Sequence, residues 1–121
     1  MATENEILGK PRDDADAKRM LRALSDSTHR VISGVALLCG EREIADFDST
    51  GVRFSAMSEA DIDWYVASGE PSDKAGAYAV QGLASLWIKG LDGDYFNVVG
   101  LPVYKLNALC EDFLGCKLTQ L

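Results

Sequence analysis

The feature that most constrains this chain is residues 69–82, which read Gly-Glu-Pro-Ser-Asp-Lys-Ala-Gly-Ala-Tyr-Ala-Val-Gln-Gly. Three glycines, a proline, an Asp-Lys pair, a tyrosine and a glutamine fall in one connection between a helix-like segment and a strand-like one. Glycines gathered this way suit close backbone approach or positive φ, and Asp73, Lys74 and Gln81 set charged and amide groups beside that backbone. Such a loop can hold a ligand. It can equally be a plain connection, with Gly69-Glu70-Pro71 stopping a helix and Asp73 and Lys74 as solvated charges. The loop alone does not separate the two readings.

The flanking segments supply a frame for it. Asp13 and Asp14 suit a helix N-terminus, and Ala17, Met20, Leu21 and Leu24 follow at i, i+3, i+4 and i+7, which predicts an amphipathic helix ending near Ser25. Residues 28–39 are aliphatic and β-branched without helical spacing, a largely buried strand. In residues 43–57, Val52, Phe54 and Ala56 alternate with Arg53 and Ser55, so this is a half-exposed strand, or two with a break near residues 48–51. Ser58 and Asp61 resemble a capping box, and Ile62, Tyr65 and Val66 continue at helical spacing up to Gly69. After the loop, residues 83–89 read as a strand, Asp92-Gly93 as a hairpin turn and residues 95–99 as the returning strand. Gly100-Leu101-Pro102 opens a last helix, whose stripe of Leu106, Leu109, Cys110, Phe113 and Leu114 is closed by Gly115. The expected fold is one α/β domain over residues 1–121, a mixed β-sheet with flanking helices.

Composition narrows the partners. With 47% apolar and 26% charged residues the chain is globular, and its 121 residues suffice for one core. It contains no run of about 18 uncharged apolar residues, and its first residues carry no basic, apolar leader, so the expectation is a cytoplasmic protein without a membrane partner. Twelve basic against 19 acidic side chains give a net charge of −7, which disfavours a nucleic acid polymer. A mononucleotide remains compatible, because a few local lysines and a divalent cation neutralise a triphosphate. Cys39, Cys110 and Cys116 are odd in number and lack C-x-x-C spacing, which reads as free thiols in a reducing compartment. A zinc site would want histidines, and His29 is the only one.

Several stretches then add up. Ile7-Leu8-Gly9-Lys10-Pro11, Thr28-His29-Arg30-Val31, Gly34-Val35-Ala36, Gly69-Glu70-Pro71, Asp73-Lys74-Ala75-Gly76-Ala77-Tyr78, Gln81-Gly82, Gly93-Asp94-Tyr95 and Val98-Val99-Gly100-Leu101-Pro102 occur in this order. Each is weak alone. As an ordered set they resemble the Maf family of nucleoside triphosphate pyrophosphatases, with its ITPase-like architecture. The resemblance implies hydrolysis of a nucleoside triphosphate between its α and β phosphates, releasing the monophosphate and pyrophosphate with a divalent metal cation, Mg or Mn. The Lys-Ala-Gly-Ala-Tyr and Gln-Gly forms resemble the subgroup acting on dTTP and UTP. By the same resemblance Lys10 and Gln81 are the catalytic residues, Lys10 contacting phosphate and Gln81 lining the nucleotide pocket, and Lys10, Asp73, Lys74 and Gln81 are the substrate-binding set. Ammonium groups suit that task because they offset charge building on a leaving pyrophosphate.

The resemblance covers the C-terminal two-thirds of the family domain. The family's Ser-Pro-Arg-Arg loop and its Ala-Asp-Thr motif, whose aspartate serves as metal ligand or general base, have no counterpart in this sequence. Metal ligands therefore stay unassigned: Asp13, Asp14 and Asp16 lie near Lys10 in sequence but read first as an acidic helix start. Two functional readings follow, an enzyme and a catalytically incomplete module that binds nucleotide or protein. A sheet without its first strands would keep an unpaired edge, which predicts a homodimer. His29 has a suitable pKa for a general base, yet its place in a strand pattern predicts a structural role. Trp64 and Trp87 are expected in the core or an interface, while Tyr78, Thr50, Arg53 and Glu70 stay open as neighbours of the site.

Overall fold

The computed structural model describes residues 1–4, 6–115 and 118–120. Cys116 lies outside the described residues; Cys39 is exposed and Cys110 buried. The first helix, α1 (Asp14–Leu24), begins where the sequence places it, because Asp13 accepts a hydrogen bond from the Asp16 backbone N–H at 2.8 Å and so satisfies one of the unpaired groups of the first turn. Its buried stripe is Ala17, Met20, Leu21 and Leu24, with Asp16 at its start.

Strands β1 (Thr28–Cys39) and β2 (Arg42–Phe54) form one long antiparallel hairpin around Gly40 and Glu41, paired from Cys39 opposite Arg42 to Thr28 opposite Arg53. β2 has no break at residues 48–51. Asp48, Ser49, Thr50 and Gly51 each face a β1 partner, Ser33 to Arg30 in turn, and ladder pairing outweighs the poor strand propensity of Asp48 and Gly51. Helix α2 (Glu59–Ala67) carries both halves of the capping box, Ser58 and Asp61 bonding each other's backbone N–H at 3.0 Å. Strand β3 (Ile88–Asp92) pairs antiparallel with the end of β2, with a register shift between Arg53 and Phe54, giving the sheet order β1-β2-β3.

Three expectations are corrected. β1 is not largely buried: His29 is buried, Val31, Ser33, Val35 and Leu37 are half-buried, and the residues between them are exposed, because one face of the strand is left uncovered. Residues 83–89 are not one strand: Leu83–Leu86 makes a 3₁₀ turn and pairing starts only at Ile88. The Glu70 carboxylate captures the Leu83 backbone N–H at 3.1 Å and holds that turn closed, so a tertiary hydrogen bond overrides an apolar run too short to declare its own structure. Residues 95–99 are not a returning strand but a helical turn, α3 (Tyr95–Val99). Asp94 accepts from the Phe96 backbone N–H at 3.0 Å, and this N-cap ends the hairpin that Asp92-Gly93 suggests. The last helix, α4 (Val103–Leu114), stops at Gly115 as its apolar stripe predicts. The whole is a mixed α/β arrangement, an antiparallel sheet flanked by helices.

The core sits at the closed end of the sheet. Leu21 and Leu24 of α1, Val52 and Phe54 of β2, and Ile62 and Tyr65 of α2 are buried together with Ala77 and Tyr78 of the loop. Each of the leucine, isoleucine, valine and phenylalanine side chains contributes about 1.5–3 kcal/mol on leaving water. The far end of the hairpin is open, with Leu38 at 74% and Phe47 at 61% exposure. Among the described residues no helix is long and apolar enough to cross a membrane.

Truncating the core should therefore hurt while truncating the open end should not. Leu21→Ala, at a position with 0% exposure, is expected to lower unfolding free energy by about 2–5 kcal/mol in urea denaturation. Leu38→Ala should change it by less than about 0.5 kcal/mol. Equal costs at both positions would refute this placement of the core.

Candidate active site

Between α2 and the 3₁₀ turn at Leu83–Leu86, the loop is built around two further short 3₁₀ turns, Glu70–Asp73 and Ala75–Ala77, folded back over the start of the chain. The Gly76 backbone N–H donates to the Gly9 carbonyl at 2.9 Å. Gly76 has φ +70°, and a Cβ there would collide with the Met1 side chain, so both its conformation and its surroundings call for glycine. Ala77, fully buried, also holds a positive φ of 67°, a region that residues bearing a Cβ seldom adopt. At the loop's other end the Glu70 carboxylate lies over Gly82 and accepts from Leu83, while the Ala79 N–H donates to the Tyr65 hydroxyl at 3.3 Å. These bonds make the loop a fixed body.

Tyr78 ties that body to the sheet. Its hydroxyl is 2.6 Å from His29 Nε2 of β1, and both residues are buried. The His29 ring meets Phe54 and Tyr78 edge-on, each with centroids 5.4 Å away. Burial, helped by the positive charge of the chain's amino terminus, lowers the His29 pKa to about 4, and burial raises that of Tyr78. The histidine is therefore neutral at pH 7 and performs the structural role that its strand position predicts.

Between the loop, β1 and the end of α3 opens a cleft of about 370 Å³. Val31 and Ser33 line it from β1, and Val98 and Gly100 from α3 and the residues after it. The loop contributes Lys74, Tyr78, Val80 and Gln81. Two of the sequence-predicted site residues, Lys74 and Gln81, thus share one wall. Lys10 and Asp73 are not among the lining residues. The Lys74 ammonium donates to Asp73 at 2.8 Å and holds the Asp73 carboxyl below the usual carboxylate range, with the Lys10 charge adding in the same sense. Lys10 accordingly stands close enough to Asp73 to act on its charge, off the cleft wall.

The opposite wall is anchored by Asn97, which is fully buried. Its side-chain amide donates to the Val31 carbonyl and to the Thr50 hydroxyl, each at 3.0 Å, and Thr50 donates to the Asp94 carbonyl at 2.9 Å. Ser33 donates to the Asn97 carbonyl at 3.2 Å. Sequence reasoning passes over Ser33 and Asn97. Their signals are a polar residue at the inward parity of His29 and Val31, and an amide inside the apolar run 96–99. Of the residues left open, Tyr78 lines the cleft, Thr50 supports its wall and Glu70 staples the loop, whereas Arg53 packs on Gly90. Trp64 and Trp87 face each other edge-on at 6.2 Å, away from the cleft lining.

The acidic residues near Lys10 have other tasks. Asp13 caps α1, and Asp16 accepts from the Arg12 backbone and from Arg19, bonds that hold its carboxyl below the ordinary range. Among the described residues no group of three or more His, Cys, Asp or Glu side chains converges. These residues do not fit a metal caged by protein ligands alone. What they offer an anionic, flat ligand is an ammonium, an amide and valine walls, a mix typical of small-molecule sites.

A family model described as Maf-like protein matches residues 1–113. A dTTP/UTP pyrophosphatase of Symbiobacterium thermophilum is 46% identical over 113 residues, which cover 93% of this chain and 58% of that protein. One of Alkaliphilus oremlandii is 47% identical over 116 residues, 94% of this chain and 60% of the relative. Another, of Shewanella oneidensis, is 52% identical over 109 residues, 90% and 56% respectively. The chain spans a little over half the length of these curated relatives.

The His29 environment gives a pH signature. Its folded pKa of about 4 lies below the ordinary 6.5, so the unfolded chain binds the extra proton in between, and stability complete above pH 6.5 declines as pH falls toward 4. Between pH 7 and pH 5 the loss from this group is about 2 kcal/mol. Chemical denaturation at the two pH values should show it, and His29→Gln should remove that difference. An unchanged pH slope in the variant would refute the assignment.

Proposed function

The chain belongs to the Maf-like family, and from that premise we propose that it binds a nucleoside triphosphate, dTTP or UTP, and serves its hydrolysis to the monophosphate and pyrophosphate. The observation that carries this reading is the cleft with Lys74 and Gln81 on one rigid wall, in a chain about half identical to dTTP/UTP pyrophosphatases. Lys74 supplies positive charge to the phosphates, and Asp73, hydrogen-bonded to it at 2.8 Å, keeps the ammonium in place. Gln81, with amide donor and acceptor on the same wall, orients the nucleotide. Lys10, whose charge acts on Asp73, serves the outer phosphates on this reading once the triphosphate extends beyond the cleft. Lys10 and Gln81 are proposed as the groups that touch the reacting phosphates.

A divalent cation, magnesium or manganese, belongs to the same proposal as the counter-ion that spreads triphosphate charge. Because the described residues gather no carboxylate cage, no step here is assigned to it. The acidic balance of the chain supports a mononucleotide over a nucleic acid polymer. A second copy of the chain is also proposed as partner, on the outer edge of β1, where residues 31–39 carry no charge to protect it. Light scattering should then show a dimer, and a monodisperse monomer would remove that part.

Turnover tests the main proposal. Pyrophosphate release from dTTP and UTP with magnesium or manganese should exceed that from purine triphosphates. Lys74→Ala and Gln81→Ala should each lower kcat/KM by about 10²–10³, the usual effect of deleting one donor aimed at developing charge. No release from any triphosphate in the panel would sink the enzymatic reading for this chain.

A further inference from the structure

The proposed nucleotide has a base, and the cleft carries a group able to read it. Side chains on β1 alternate, so His29, Val31 and Ser33 share the face toward the loop and α3. The Ser33 hydroxyl has one hydrogen, and the partner at 3.2 Å is the Asn97 backbone carbonyl, which can only accept. That hydrogen is therefore committed, and the oxygen faces other groups with lone pairs alone. The commitment is stable because the Asn97 side chain is fixed to Val31 and Thr50 in a fully buried position.

We infer that Ser33 is a specificity-determining residue, whose hydroxyl oxygen accepts the N3–H of an imide base, uracil or thymine, and disfavours cytosine. The inference rests on the reading of the cleft as a nucleotide site. At N3 uracil and thymine carry a hydrogen, whereas cytosine carries a lone pair that would face the serine lone pairs with nothing between. The valines at 31, 80 and 98 offer apolar walls for a flat ring. Ser33 cannot reorient to donate without abandoning the Asn97 carbonyl, and this one-sidedness is what discriminates.

Calorimetric titration of the full chain with UTP, CTP and N3-methyl-UTP tests it, because binding is read independently of turnover. The wild type should bind UTP at least about tenfold more tightly than CTP or N3-methyl-UTP, the scale of one neutral hydrogen bond lost inside a site. Ser33→Ala should bring the three affinities within about threefold of each other, and Ser33→Thr, which keeps the hydroxyl, should preserve the ranking. Lys74→Ala should weaken all three ligands alike. If Ser33→Ala fails to fold by circular dichroism, the wild-type comparison of UTP with N3-methyl-UTP and the threonine variant still decide. Equal binding of UTP and CTP by the wild type, or an unchanged ratio in Ser33→Ala, overturns the role of Ser33 and leaves the nucleotide site standing. Failure to bind any triphosphate overturns both.

Discussion

The hydrogen bond between His29 and Tyr78 is where the sheet and the signature loop become one body. It joins the inward face of β1 to the middle of a loop whose Tyr78 ring also packs edge-on against Phe54 of β2. Since side chains along a strand alternate, fixing His29 inward also fixes Val31 and Ser33 inward, two and four residues on. The loop cannot lie flat over all three positions. Its positive φ at Gly76 and Ala77 precedes Tyr78, which meets His29, and Val80 and Gln81 beyond it line the same cleft as Val31 and Ser33.

A second anchor stands at the other end of that space. Asn97 and Thr50 hold α3 to β1 and β2 through bonds buried from water, and Ser33 closes the set on the Asn97 carbonyl. Apolar packing alone would tolerate small slides of α3 across the sheet, because hydrophobic contact has no direction. Directional bonds do not tolerate them, and breaking one leaves a buried group unpaired. Both walls of the cleft are thereby held before any ligand arrives, which spares a ligand the ordering cost of making them.

Much of this was legible in the residues. Asp13, the Ser58–Asp61 box and Gly115 announced their helix ends, and the alternation through Val52 and Phe54 announced β2, because caps and periodicity are local signals. The errors fell where a distant group decides. Nothing near Leu83 reveals that Glu70 will capture its N–H, and Asp94 competes with the preceding Asp-Gly for control of the chain. At the site, Lys74 and Gln81 were brought to one wall as their shared loop suggested, but the side of that loop on which Lys10 and Asp73 stand depends on Gly9 meeting Gly76. Ser33 and Asn97 escaped notice because a single polar residue in an apolar stretch gains meaning only from its partner.

The charge pattern bears on how an acidic chain could serve the phosphate-binding role proposed above. Several of its cations are engaged away from the cleft: Arg19 with Glu6 and Asp16, Arg22 with Glu59, Lys18 with Asp63, and Lys105 with Asp46. Several of these pairs link α1 to α2 or to the chain start, so they brace the scaffold and are not at the disposal of a ligand. Lys74 differs. Its partner Asp73 is its sequence neighbour, and the pair bridges no two elements, so parting it unfastens nothing. Both side chains are substantially exposed, at 41% and 72%, and an ion pair in water is weakly held. On the proposed reading, a triphosphate would concentrate more negative charge on the ammonium than one carboxylate can, with the Lys10 charge, which also acts on Asp73, adding in the same sense. The Asp73–Lys74 pair is thus strong enough to orient the ammonium and weak enough to yield it.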